Sequence, residues 1–208
     1  MTKYGLILWD FDGTLADTLE SSISIFNELA PRYGCKPIDD IESARRMSVA
    51  AFMKHQRISW WNRARLAREF FARKSHVDGV QLCRGLPEVL IALRQTGSRM
   101  GIVSSSERAS IHACLRAHRV DDLFEFVEGY VRILGKHRAI RAALRTQRSD
   151  KRQCVYVGDE CRDITAARKA GVDVAAVTWG YNAHEILAAA RPTFLAHAPS
   201  ELARFLTS

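Results

Sequence analysis

Seven residues of this chain stand where apolar runs stop: Asp10, Asp12, Ser104, Ser105, Lys136, Asp159 and Asp163. Carboxylates as close as Asp10 and Asp12 repel each other, and burial would raise a pKa unless a cation intervenes. A hard divalent ion held by oxygen ligands is the simplest remedy, and Mg²⁺ suits a site of few carboxylates that also receives a phosphate. Asp159 and Asp163 are four apart, so on a helix that starts at once they share a face and can serve the same ion. Ser104 and Ser105, followed by Ser106 and a helix from Arg108, combine hydroxyls with free helix N–H groups and form a candidate anion site. Each feature alone also has an ordinary reading. Aspartates end strands in turns or sit favourably at helix N-termini for ~0.3–1 kcal/mol, serine runs are loop and cap material, and a lysine is most often a surface residue.

The elements that must position these groups follow from the apolar patterning. Leu6 to Phe11 is too short for a helix and suits a strand buried on both faces, which carries Asp10 to its carboxyl end. Ligands bind at that edge in open parallel α/β sheets. Gly13 and Thr14 turn the chain so that Asp12 can face the same pocket. Further strands are predicted at 100–103, 124–127, 155–157 and 174–177, each followed by a helical pattern, with a short peripheral strand at 193–195. The reading is a mostly parallel five-stranded sheet with helices on both faces. Between the first strand and residue 84 the pattern is helical, with Thr18 or Asp17, Asp39–Asp40 and Ser59 as helix starts. Adjacent residues on a helix diverge by about 100°, so Trp60 and Trp61 cannot share a face. Trp61, in a stripe with Ala64, Leu66 and Phe70, is expected in the core of this segment, and Trp60 facing the sheet domain or a substrate.

Asp10-Phe11-Asp12-Gly13-Thr14-Leu15-Ala16-Asp17-Thr18 resembles the first signature of the haloacid dehalogenase-like hydrolases, in the helical-cap branch that includes phosphoglycolate phosphatases. Ser104 at a strand end resembles the second signature. Lys136, after Gly135 and opening a helix, resembles the third, with Arg132 and His137 as nearby cationic candidates. Gly158-Asp159-Glu160, continuing to Asp163-Ile164, closely resembles the fourth, and Thr178-Trp179-Gly180 resembles a loop of the phosphoglycolate phosphatase-like members. The resemblance implies a Rossmann-like α/β core over 1–16 and 84–208 with an inserted helical cap over 17–83. It implies Mg²⁺-dependent hydrolysis of a small phosphorylated metabolite through an aspartyl-phosphate. Asp10 would be the nucleophile and Asp12 the acid and base, with Ser104, Ser105 and Lys136 on the phosphate. Asp10, Asp12 through its backbone carbonyl, and Asp159 would hold the metal, with Asp163 behind them or reaching it through water. A dehalogenase has no need of Asp12. A phosphonatase of this family needs a cap lysine, for which Lys36, Lys54 and Lys74 are available, and a non-catalytic phosphate-binding protein needs no acid beside its nucleophile.

Composition narrows the partners. The 208 residues are 47% hydrophobic, with a net charge of +8. The basic residues are spread along the chain without a recognition motif or interleaved aromatics, so they read as solvated helix faces rather than a nucleic-acid surface. No apolar run approaches the ~20 residues that span a bilayer, and Asp10 and Asp12 break the stretch where a signal peptide would lie. The five cysteines form no C-x-x-C pair and read as reduced thiols, so cytoplasmic residence is expected.

Overall fold

Leu6-Ile7-Leu8-Trp9 has no charged or hydroxyl-bearing side chain to keep in water, and in the computed structural model, which describes residues 3–75, 77, 79–131 and 135–207, it forms the fully buried strand β1 (Leu6–Trp9). Its neighbours are β2 (Arg99–Val103) and β4 (Cys154–Gly158), both parallel to it, with Trp9 opposite Ile102 on one side and Val157 on the other. β3 (Phe126–Glu128), β5 (Asp173–Val177) and β6 (Phe194–Ala196) complete the order β3-β2-β1-β4-β5-β6. The order reverses at β1, the switch point where doubly wound sheets open a crevice at the strands' carboxyl ends. Period-two alternation splits β1 between two cores. Ile7 and Trp9 pack on α5 (Leu86–Gln95), α6 (Arg108–Ala117) and α10 (Pro199–Thr207). Leu6 and Leu8 pack on α7 (Lys136–Thr146), α8 (Cys161–Ala170) and α9 (His184–Ala189).

The sheet has six strands rather than the five expected, and all five strand pairings are parallel. The stretch near 194, read as peripheral, pairs Ala175 with Phe194 and Val177 with Ala196. β5 would otherwise leave an open row of backbone donors and acceptors at the sheet's edge.

The segment between β1 and α5 is helical, as expected. Its stems meet at a bridge between Ala16 and Leu82, braced by Asp17 N–H to the Gln81 carbonyl (2.9 Å) and Cys83 N–H to the Leu15 carbonyl (2.8 Å). α1 (Leu19–Leu29) runs into a 3-10 turn that ends at Gly34, whose φ of 67° puts it in the left-handed region that glycine tolerates. α2 (Ile41–Arg45), α3 (Val49–His55) and α4 (Trp60–Lys74) are N-capped by Asp40, Ser48 and Ser59. α3 was not foreseen, and Thr18 is not a side-chain cap: its hydroxyl bonds Asp12 instead. These helices bury their own cluster of Ile25, Phe26, Leu29, Ile58 and Leu66.

Trp61 is not core. It is 68% exposed, because the inward stripe of α4 runs through Leu66 and Phe70. Asn62 extends that i, i+4 row backwards, leaving Trp61 about 100° off it. The Trp60 side chain and Arg132 lie outside the described residues.

Candidate active site

β1 ends one residue before Asp10, whose N–H still donates to the Val157 carbonyl (2.8 Å), so the sheet itself fixes where this side chain emerges. Asp10 Oδ1 accepts from Phe11 N–H (2.8 Å) and Oδ2 from Lys136 Nζ (2.5 Å). Lys136 opens α7, is 2% exposed, and donates also to Asp163 Oδ1 (2.6 Å). The other Asp163 oxygen accepts from Glu160 N–H (3.1 Å) in a capping box that starts α8. Asp159, just past β4, accepts from the Thr14 hydroxyl and from Tyr181 N–H, both at 2.7 Å. Gly13, with φ 70°, and Gly180 pack so closely on Asp159 that a Cβ on either would strike its carboxylate. Trp179, in the same loop, donates its indole N–H to the Thr14 carbonyl (3.1 Å).

Asp10, Asp159 and Asp163 each offer a buried carboxylate oxygen within 4.8 Å of the others. That span is near the ~4.2 Å across an octahedron of ~2.1 Å Mg²⁺–oxygen bonds. Burial raises the pKa of Asp10 despite Lys136, and burial together with Glu160, Asp163 and Asp10 raises that of Asp159 well above the usual carboxylate range. Lys136, with Arg162 behind it already paired to Glu160, therefore does not compensate three buried carboxylates, and the all-oxygen donor set fits a hard dication.

Asp12 belongs to a different environment. Its side chain lies outside that cluster, so the expected contribution to a metal concerns its backbone carbonyl. It accepts from Lys74 Nζ (2.9 Å), the Thr18 hydroxyl (3.1 Å) and the Ser106 hydroxyl. Burial would push its carboxyl up, but Lys74, Ser106 and Thr18 outweigh that and hold it below the usual range. Asp12 borders a cavity of about 710 Å³ between the helical segment and α6, to which Ser105, Ser106 and Lys74 also contribute. Ser104 is fully buried at the end of β2, its hydroxyl accepting from Ser106 N–H (3.3 Å), and Ser105 is half-buried on the cavity wall.

The fold thus gathers the expected residues at one edge of the sheet and adds two. Ser106 was visible only as the last of three serines, any of which could have turned inward. Lys74 was visible only as one of three lysines in the helical segment between β1 and α5; Lys36 and Lys54 are exposed. His137 stays half-buried beside Arg138, Arg141 and Lys169, where burial and these cations lower its pKa.

The family model of the haloacid dehalogenase-like hydrolases matches residues 7–177. The chain belongs to this family. It is 36% identical to the phosphoglycolate phosphatase of Synechococcus elongatus over 204 residues, 97% of this chain and 96% of that protein. It is 24% identical to the pyrophosphatase PpaX of Bacillus cereus, over 99% of this chain and 97% of that one. A haloacid dehalogenase-like hydrolase of Streptococcus pneumoniae shares the fold with a TM-score of 0.76 at 20% identity, over 98% of each chain. The chain is a haloacid dehalogenase-like phosphatase, homologous to a phosphoglycolate phosphatase along nearly its whole length. Among the described residues no helix is long and apolar enough to cross a membrane.

Proposed function

We propose that this phosphatase hydrolyses a small phosphate monoester through a phosphoryl group held covalently on Asp10, with Mg²⁺ bound by Asp10, Asp159 and Asp163 and by the Asp12 carbonyl. The observation that carries this reading is the separation of two neighbouring carboxylates into two environments. Asp10 lies in the cation-seeking cluster against Lys136, and Asp12 lies outside it on the wall of the cavity. Mg²⁺ would offset the negative charge that a phosphate dianion and the nucleophile bring together.

An Asp10 oxygen attacks phosphorus, the bond from phosphorus to the leaving oxygen breaks, and Asp12 gives that oxygen a proton. Water then attacks the phosphoryl group, Asp12 takes a proton from it, and the Asp10–phosphorus bond breaks to release inorganic phosphate. Lys74 and Ser106 favour the ionised Asp12 that the second step needs. A phosphate dianion arriving beside it favours the protonated form that the first needs. Lys136 and the Ser104 and Ser105 loop hold the oxygens on which charge stays throughout the transfer.

Lys74 is the only one of the three cap lysines to reach the site, which is where a phosphonatase would need an imine-forming amine. Such an amine must be uncharged to attack. Burial would favour that form, but Asp12 and the Tyr181 hydroxyl outweigh it and raise the Lys74 pKa, so the geometry favours ester hydrolysis. We take 17–83 as a cap domain, in keeping with its own hydrophobic cluster and paired stems, and the cytoplasm as its compartment, in keeping with five free thiols. Because the Synechococcus relative is a phosphoglycolate phosphatase, 2-phosphoglycolate is the first substrate to test. Phosphate release in Mg²⁺, its loss on chelation, and a phosphorylated peptide containing Asp10 after acid quenching are the expected results. Turnover without any covalent phosphorylation of that peptide would replace Asp10 as nucleophile by water.

A further inference from the structure

Lys74 is the last residue of α4 and brings a buried ammonium from the cap to the core. Its side chain is 10% exposed and bonds Asp12 Oδ1 at 2.9 Å and the Tyr181 hydroxyl at 2.9 Å. Tyr181 is itself tied to α1 through the Ser22 hydroxyl (2.6 Å) and the Thr18 carbonyl (3.2 Å), so the ammonium is held in place from both sides. An ammonium has three donors, and the two bonds use two of them. Lys74 also lines the cavity that begins at Asp12.

In the proposed reaction the proton of Asp12 goes to the leaving oxygen, so that oxygen must come within hydrogen-bond reach of Asp12. A group one or two carbons further along the leaving alcohol is then within reach of Lys74, whose Nζ lies 2.9 Å from the Asp12 carboxylate. The cavity, at about 710 Å³, is far larger than a two-carbon acid and does not select by size. What it offers near Asp12 is positive charge in a place poorly reached by water, where a charge-assisted hydrogen bond is strong. Arg68, exposed on the same wall, adds a second cation, and among the described residues Glu107 is the other carboxylate that lines the cavity.

We propose, on the basis of the phosphatase reading above, that Lys74 selects substrates whose leaving group carries an anion, a carboxylate or a second phosphoryl group, next to the ester oxygen. A neutral alcohol in the same place receives no such contact.

The test uses the full chain with Mg²⁺ and two pairs of substrates. The first is 2-phosphoglycolate against ethylene glycol monophosphate, which puts a hydroxymethyl group where the carboxylate was. The second is pyrophosphate against methyl phosphate. Lys74→Gln keeps hydrogen-bond donors for Asp12 and Tyr181 while removing the charge, and Lys74→Met serves if the glutamine variant fails to fold. The expected result is that the ratio of kcat/KM, anionic over neutral, falls at least tenfold, chiefly through KM, and that Lys74→Arg restores part of it. The pair whose ratio falls identifies the anion as carboxylate or phosphoryl. A change below twofold in both ratios overturns the proposal and leaves Lys74 as a tie between cap and core. Absence of turnover of every ester by the parent chain sinks the phosphatase reading instead. Selectivity is then read from the dissociation constants of the first pair, and equal weakening of both ligands in Lys74→Gln again overturns the proposal.

Discussion

Lys136→Met removes the ammonium that bridges Asp10 Oδ2 at 2.5 Å and Asp163 Oδ1 at 2.6 Å, in a place where the lysine is 2% exposed. Methionine fills much the same volume, so the loss is electrostatic rather than a cavity. Breaking a buried pair by removing one partner costs about 3–5 kcal/mol, because the other partner stays buried and uncompensated. In a chain of 208 residues, 1 kcal/mol corresponds to ~2–4 °C in Tm. The metal-free variant is therefore expected to melt ~6–20 °C below the parent. Burial works against the charged form of Lys136, but Asp10 and Asp163 raise its pKa well above that of a free lysine. The contribution is thus fully present below the ~10.4 of an unfolded lysine and lost only as pH rises beyond it, so the difference should be constant between pH 7 and 9. Mg²⁺ at one fixed high concentration should narrow it, since the dication meets carboxylates that only the parent has already paired with an ammonium, so the variant binds it more tightly, and each tenfold in Kd adds ~1.4 kcal/mol to the fold that binds it. Turnover should stay ~10²–10³-fold down even then, the typical cost of one donor to a developing oxyanion. Calorimetric melting with EDTA and with Mg²⁺, beside steady-state kinetics, makes the comparison. A Tm within 2 °C of the parent in EDTA, or a gap that Mg²⁺ leaves untouched, would refute the reasoning.

Asp10→Asn should fold and bind Mg²⁺ more weakly, with turnover reduced at least ~10³-fold because an amide is a poor nucleophile; residual activity within tenfold of the parent removes Asp10 from that role. Asp159→Asn should shrink the rise of Tm with Mg²⁺ much more than Asp12→Asn does, since only Asp159 presents its side chain to the carboxylate cluster, and equal responses would count against the metal assignment. Burial and neighbouring acids raise the Asp159 pKa, so its ionised form penalises the metal-free fold increasingly as pH rises above the ~3.9 of an unfolded aspartate. Mg²⁺ binds that ionised form and should raise Tm more at pH 7.5 than at pH 5; increments equal at both would contradict this. Trp61→Ala, at a side chain 68% exposed, should change stability by no more than ~0.5 kcal/mol. Leu66→Ala, at 2% exposed, should cost ~2–5 kcal/mol, and urea melts that reverse this order would return Trp61 to the cap core.

Local patterning carried much of this molecule. A short apolar run ending in acid, serine or glycine specifies a buried strand and the residue at its carboxyl end, and parallel strands bring all such ends to one edge. Asp10, Ser104 and Asp159 could therefore be placed from their own neighbourhoods. The helix starts at Asp40 and Ser59 and the stop at Gly34 were legible for the same reason, because caps and left-handed turns are made within a few residues. Short-range periodicity gives little purchase on a helix rich in arginine on every side, and α4 shows it. Trp61, Ala64, Leu66 and Phe70 matched a stripe, of which Leu66 and Phe70 face inward while Trp61 and Ala64 are exposed, set by the packing of α4 against α1. The sixth strand was visible as a stretch but not as part of the sheet, since membership depends on pairing with β5. What the tertiary structure alone decided is which cation meets which acid. Lys136 lies 126 residues from Asp10, and Ser106 lies 94 from Asp12. Lys74 comes from a helix whose own pattern says nothing about where its last side chain ends. Electrostatic contacts of this kind depend on distances of a few ångströms between groups brought together only when distant elements of the chain pack, and no spacing along the chain encodes them.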